Sequence, residues 1–189
     1  MKRWTLLLPL ILFLGLCVMF WISLLQGKKN HALPSALLNQ PVPNFSLGSL
    51  TDENHFLTEK EIIGKPALIN IWATWCTACA IEHPFLLKLA NEGVIIYGVN
   101  YKDDPDKARQ WLQQKGNPFR ETLLDQTGKL GIDLGVYGAP ETFLIDNKGI
   151  IHYRHIGILD QSVWNQNIRQ FYEALNNSMN TADKQTDQE

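Results

Sequence analysis

Apolar residues are spaced along this chain in three ways, and each spacing predicts a different kind of element. From Trp4 to Leu25 no charge interrupts them. At about 1.5 Å per residue that run is about 33 Å of helix, enough for a bilayer core of about 30 Å. Further on, Ala67-Leu68-Ile69-Asn70-Ile71-Trp72-Ala73 and Val94-Ile95-Ile96-Tyr97-Gly98-Val99-Asn100 are near-continuous apolar runs of strand length. Runs of that kind suit central strands covered on both faces. Between them the period is helical. Thr77 to about Asn91 places Ile81, Phe85, Leu86 and Leu89 on one face, with Pro84 expected to kink the helix.

The remaining elements follow from local signals. Pro41 to Leu47 has the alternation of a short edge strand, where proline is tolerated. Asp52 to Ile63 reads as a hairpin or loop leading to a short helical turn. Asp103-Asp104-Pro105 opens a helix that Lys115-Gly116 ends. Thr122–Asp125 is a short strand, and Lys129–Leu134 one or two helical turns. Thr142–Asp146, the turn Asn147-Lys148-Gly149 and Ile150–Gly157 form a hairpin. A last helix spans about Asp160–Leu175, with Val163, Trp164, Ile168, Phe171 and Leu175 inward. Residues 1–25 thus read as a membrane anchor and 26–40 as a polar linker. Residues 41–177 form one α/β domain, a mixed sheet with helices on both faces, and 178–189 a disordered tail.

Composition narrows the function classes. The chain has 189 residues, 45% apolar and 19% charged, with a net charge of -2. No basic patch suggests nucleic acid, and no acidic tract a strongly charged partner. A cleaved signal peptide would have a shorter apolar region, about 7–15 residues, ending in a small-x-small site. Here Leu25-Gln26-Gly27-Lys28-Lys29 offers none, so an uncleaved anchor is expected, with Trp4 and Trp21 near its ends. Lys2 and Arg3 on one side of the span face Lys28 and Lys29 on the other, so charge barely orients it.

The chemistry concentrates at Trp75-Cys76-Thr77-Ala78-Cys79, just past the carboxyl end of a central strand. Cys17 in the apolar run is the other cysteine. At a helix N-terminus the unpaired N–H groups and the helix dipole favour a thiolate. Position therefore makes Cys76 the attacking thiol and Cys79, one turn on, the resolving one. Two other uses of the pair stand beside this. Cys76, Cys79 and His83 share a helix face and could ligate a metal, although closed structural zinc sites want four ligands. A static disulfide is the other, but a loop this short constrains little of the unfolded chain.

The stretches Asn70-Ile71-Trp72-Ala73-Thr74-Trp75-Cys76-x-x-Cys79, Glu82-His83-Pro84 and Gly135-Val136-Tyr137-Gly138-Ala139-Pro140-Glu141-Thr142-Phe143 resemble the membrane-anchored thioredoxin-like reductases of cytochrome c maturation, the CcmG/DsbE type. The resemblance covers about residues 35–175 and the anchor. It implies a thioredoxin-like fold facing the periplasm of a bacterial inner membrane, with a cis Pro140 opposite the cysteines. Beside Pro140, backbone around Ala139 would pair with the substrate chain, and Trp75 would line the substrate surface. Glu82 and Glu141 are implied as acidic residues that tune the dithiol, and no cofactor is required. Apocytochrome c, or a thiol partner in its maturation, is implied as substrate, with a membrane electron donor of the DsbD/CcdA kind. Two departures stand out. Asn70 lies where ordinary thioredoxins carry a buried Asp, and Thr77-Ala78 replaces the usual Pro-Thr. A general envelope oxidoreductase and a Cys/His metal chaperone are the alternatives.

Overall fold

The computed structural model describes residues 8–26, 37–52 and 54–186. The chain divides into two compact units, residues 1–33 and 34–189. In the first unit, α1 (Leu8–Gln26) is a 19-residue helix without a charge. Each of its side chains from Pro9 to Ile22 is exposed, Cys17 included. As described, α1 is about 28 Å long, just under the bilayer core of about 30 Å. Among the described residues no helix is long and apolar enough to cross a membrane. The charge-free run of the sequence begins at Trp4, which lies outside the described residues together with most of the expected linker.

The second unit is built in the order β1 (Ser46–Gly48), β2 (Phe56–Thr58), α2 (Glu59–Ile62), β3 (Ala67–Trp72), α3 (Thr77–Asn91), β4 (Ile96–Tyr101), α4 (Pro105–Lys115), β5 (Glu121–Asp125), α5 (Lys129–Asp133), β6 (Glu141–Ile145), β7 (Ile151–Ile156), α6 (Gln161–Val163) and α7 (Arg169–Thr186). A π-helical turn, Trp164–Ile168, joins the last two helices. Five strands form one sheet in the order β5-β4-β3-β6-β7. β3 pairs in parallel with β4, and β4 with β5. β6 runs antiparallel to both β3 and β7. β1 and β2 form a separate hairpin, bridged to the β5 edge at Ser49 and Leu123. This is the thioredoxin-like arrangement.

The pleat sorts the central strand onto two cores. Leu68 and Trp72 face the cluster built on α3, α4 and the C-terminal helices, with Leu86, Leu89, Ala108, Leu112, Trp164 and Ile168. Ala67, Ile69 and Ile71 face the other cluster, with Ile62, Leu130, Leu134 and Phe143. All six residues of β3 are buried, as its unbroken apolar run predicts. Trp72 is core, stacked on Phe119 with centroids 5.4 Å apart.

Three expectations change. The Pro41–Leu47 segment is not a strand throughout. Pro41 makes one bridge to Ile150, and regular pairing starts only at Ser46. The two prolines of Pro41-Val42-Pro43 lack the N–H a ladder needs. One position of helix α3 departs from its expected face: Ile81 is 63% exposed, while Leu86 and Leu89 point inward as expected, joined by Cys79, Glu82 and His83. Long-range polar partners for Glu82 and His83, invisible to periodicity, make that burial tolerable. The polar tail expected from residue 178 is helical to Thr186. No glycine or proline follows Gly157 to end a helix there.

Candidate active site

β3 and β6 bring two loops to one end of the sheet. β3 finishes at Trp72 and leads through residues 73–76 into α3, while β6 begins at Glu141, paired with Ile71. The cysteine turn and the Gly135–Pro140 loop therefore leave the sheet side by side.

Cys76 is the N-cap of α3, and its Sγ accepts from the Cys79 N–H at 3.1 Å. The cysteines are disulfide-bonded, with Cα atoms 5.3 Å apart. Both are buried, at 6% and 2% exposure. Trp75 beside them is 56% exposed. Its indole N–H donates to the Lys102 carbonyl at 3.1 Å, which fixes the ring at the rim of the site.

Beneath the pair lies a buried polar network. Glu82 follows Cys79 on the inner face of α3 and is 1% exposed. Its Oε1 accepts from Asn70 Nδ2 at 2.9 Å and its Oε2 from the Leu159 N–H at 2.8 Å. Asn70 also donates to Thr142 Oγ1 at 3.1 Å, across the β3–β6 pairing. Burial pushes the Glu82 carboxyl up, and the Leu159 and Asn70 bonds pull it partly back, leaving it at about 7. A carboxyl that titrates near neutrality, one turn along α3 from Cys79, can accept or return a proton at physiological pH.

Glu141 sits differently from Glu82. Thr142 and Leu144 share the cysteine face of β6, so the pleat turns Glu141 and Phe143 to the opposite face. Its Oε1 accepts from the N–H of Tyr137 at 2.7 Å and of Gly138 at 3.4 Å. Its Oε2 is gripped by Arg154 through Nε at 2.8 Å and Nη2 at 2.7 Å. Arg154 in turn donates to the Gly135 carbonyl at 2.6 Å and lies over the Tyr137 ring, 5.0 Å from its centroid. Both oxygens are thus committed to shaping the 135–140 loop. The geometry makes Glu141 a clamp of that loop rather than a free carboxylate at the thiols.

The Ala139–Pro140 bond is cis, and the Pro140 carbonyl accepts from the Gly157 N–H at 2.9 Å. Ala139 packs against the cluster that contains both cysteines. His83 is buried, with Nε2 3.0 Å from the Gly116 carbonyl and its ring edge-on to Trp111 at 4.4 Å. Burial lowers its pKa. That setting uses the ring in packing, and among the described residues no group of three or more His, Cys, Asp or Glu could hold a metal ion. Two surface cavities of about 330 and 310 Å³ are lined by residues of β1 and α5 and of α4, and neither touches the cysteines.

Sequence reasoning did not single out Arg154, Leu159 or Thr142. Arg154 lies in the mixed strand Ile151–Ile156 between two histidines and a tyrosine, so composition gives no signal for it. A backbone N–H such as that of Leu159 leaves no trace in composition.

The redoxin family model matches residues 37–173. The chain is 49% identical over 175 residues to the thiol:disulfide interchange protein DsbE of Pseudomonas aeruginosa, covering 93% of this chain and 96% of that one. It is 47% identical over 178 residues to the DsbE of Haemophilus influenzae, covering 93% and 98%. Among solved structures, a thio-disulfide isomerase from Thermus thermophilus superposes with a TM-score of 0.57 at 26% identity, covering 68% of this chain and 92% of that one. The chain belongs to the redoxin family and, within it, to the DsbE-type thiol:disulfide interchange proteins, and it is a thiol–disulfide oxidoreductase.

Proposed function

We propose that the protein is a membrane-anchored reductant of protein disulfides that faces the periplasm and serves cytochrome c maturation. The observation that carries this reading is the stack of an N-capping thiol, a resolving thiol and a buried near-neutral carboxyl beside a cis-proline loop. Cys76 thiolate attacks one sulfur of a substrate disulfide, and the other sulfur leaves as a thiolate. Cys79 gives its proton to Glu82 and attacks the Cys76 sulfur. The substrate's remaining sulfur leaves as a thiol or thiolate, and the Cys76–Cys79 disulfide is left behind. Asn70 has no carboxylate to offer, so Glu82 takes the acceptor role. Two electrons from a membrane dithiol donor of the DsbD/CcdA kind restore the reduced pair.

The DsbE relatives, together with the cytochrome c maturation resemblance, support apocytochrome c or a maturation partner as substrate. The exposed apolar residues of α1 support anchoring in the inner membrane. Pro140, Ala139 and Trp75 are proposed as the substrate-binding rim. Catalytic roles are proposed for Cys76, Cys79 and Glu82, with Glu141 shaping the loop. The test is a trap in cells. Cys79→Ser should accumulate mixed disulfides through Cys76 with apocytochrome c or a maturation thiol protein. Capture of unrelated envelope proteins instead would favour a general oxidoreductase, and no capture at all would reject the exchange mechanism.

A further inference from the structure

The turn that carries Cys76 is held from outside the dithiol by the loop after β4. Asp103 grips Thr74 with both carboxylate oxygens. Oδ2 accepts from the Thr74 N–H at 2.6 Å, and Oδ1 from the Thr74 hydroxyl at 2.7 Å. The same carboxylate accepts from Asn100 Nδ2 at 3.0 Å and from the Asp104 N–H at 2.9 Å. Asn100 is 1% exposed and sits in β4 opposite Trp72, so the grip is anchored in the sheet. Burial opposes the Asp103 charge, but the bonds from Thr74, Asn100 and Asp104 outweigh it and hold the carboxyl below the usual range.

A second contact closes the same clasp. Lys102, next to Asp103, has φ 47°, a left-handed conformation that residues with a Cβ avoid. In it the Lys102 carbonyl receives the Trp75 indole. Its side chain passes so close to Gly128 that a Cβ added there would meet Cε. Two consecutive residues of the β4–α4 loop thus hold two consecutive residues of the cysteine turn, immediately before Cys76.

We infer that Asp103 is a positioning residue for the attacking thiol: through Thr74 it fixes the turn in which Cys76 caps α3. The inference rests on the reading of Cys76 as nucleophile. A carboxylate could act on a thiol in two ways, and they have opposite signs. As a nearby negative charge it disfavours the thiolate, so its removal would make Cys76 ionise more readily. As a clamp it keeps the Cys76 sulfur on the N-terminal amides of α3, so its removal would make Cys76 ionise less readily.

The experiment is alkylation of the reduced full-length protein in detergent by iodoacetamide, followed across pH with the modified cysteine identified by mass spectrometry. For Asp103→Asn the pH midpoint of Cys76 alkylation should move up by about one unit, with a rate below the midpoint roughly tenfold lower. Thr74→Val, which keeps the backbone bond and all charges, should move it in the same direction by less. It also carries the test if Asp103→Asn does not fold. A midpoint that stays put in both variants, or moves down in Asp103→Asn, overturns the clamp. If the wild-type protein is not alkylated at Cys76 ahead of Cys79, the nucleophile assignment itself fails, and the two failures are distinct.

Discussion

Replacing Glu82 by glutamine should change how stability depends on pH more than it changes stability itself. In the folded protein the carboxyl is held at about 7, against 4.5 for the free group. The native state therefore binds the proton more tightly than the unfolded chain. Below about pH 4.5 the group is neutral in both states and costs nothing. As pH rises from there through about 7 the unfolded chain loses its proton first, and stability is lost. At about 1.4 kcal/mol per unit, the full loss above pH 7 is about 3 kcal/mol. Glutamine cannot titrate, so that slope should vanish. It has one carbonyl where glutamate has two acceptors, so either the Leu159 N–H or the Asn70 amide loses its partner. That costs about 1–3 kcal/mol at every pH. The difference in unfolding free energy, variant minus wild type, should thus begin negative near pH 4.5 and rise by about 3 kcal/mol by pH 8. Urea unfolding of the oxidised proteins, followed by near-ultraviolet circular dichroism, measures it. A difference that is flat with pH, or that falls, would refute the assignment of a raised carboxyl at Glu82.

Other substitutions probe the supports around it. Arg154→Met leaves the 1% exposed Glu141 carboxylate without its cation and should cost about 3–5 kcal/mol. That should appear as a drop in Tm of roughly 10 °C that adding Glu141→Gln largely restores. Asn70→Asp places a second carboxyl 2.9 Å from Glu82, so the two would share a proton. The pair should titrate above the wild-type Glu82, with Tm at pH 8 falling further than Tm at pH 5. Gly98→Ala puts a methyl 2.8 Å from Trp72 Nε1 and 2.9 Å from Phe119 Cγ. Overpacking should cost about 1–3 kcal/mol in urea unfolding and shift tryptophan emission, without changing which cysteine reacts.

The residues differ in how openly they declared their places. β3 and β4 were legible because strands buried on both faces are apolar at most positions, and the β6–β7 hairpin because Asn147-Lys148-Gly149 is turn chemistry. The cysteine turn was legible because two thiols at i and i+3 after a strand have few other uses. The inner face of α3 was legible at Leu86 and Leu89 but not at its polar positions, because Glu82 and His83 are buried on hydrogen bonds with residues 77 and 33 positions away. Pattern reading counts a glutamate as outside, and the resemblance alone placed it at the site. The side of β6 taken by Glu141 depends on how the strand pairs with β3, and a one-residue slip in register would reverse the face. The Asp103 clasp was read only as a helix start, a role that Asp104 takes with bonds from the Asp106 and Lys107 N–H groups. Its grip on Thr74 joins two loops that are neighbours only because β3 and β4 pair in parallel.

The most direct test of the central claim, that Cys76 attacks and Cys79 resolves, is the reaction of two single-cysteine-site variants with glutathione disulfide at neutral pH. Reduced Cys79→Ser should take up one glutathione on Cys76 and keep it, as read by peptide mass spectrometry. Cys76→Ser should react far more slowly, because Cys79 is 2% exposed and lies inside the first turn of α3. Faster or equal labelling of Cys79 in Cys76→Ser, or a Cys76 adduct that does not persist in Cys79→Ser, would contradict the account.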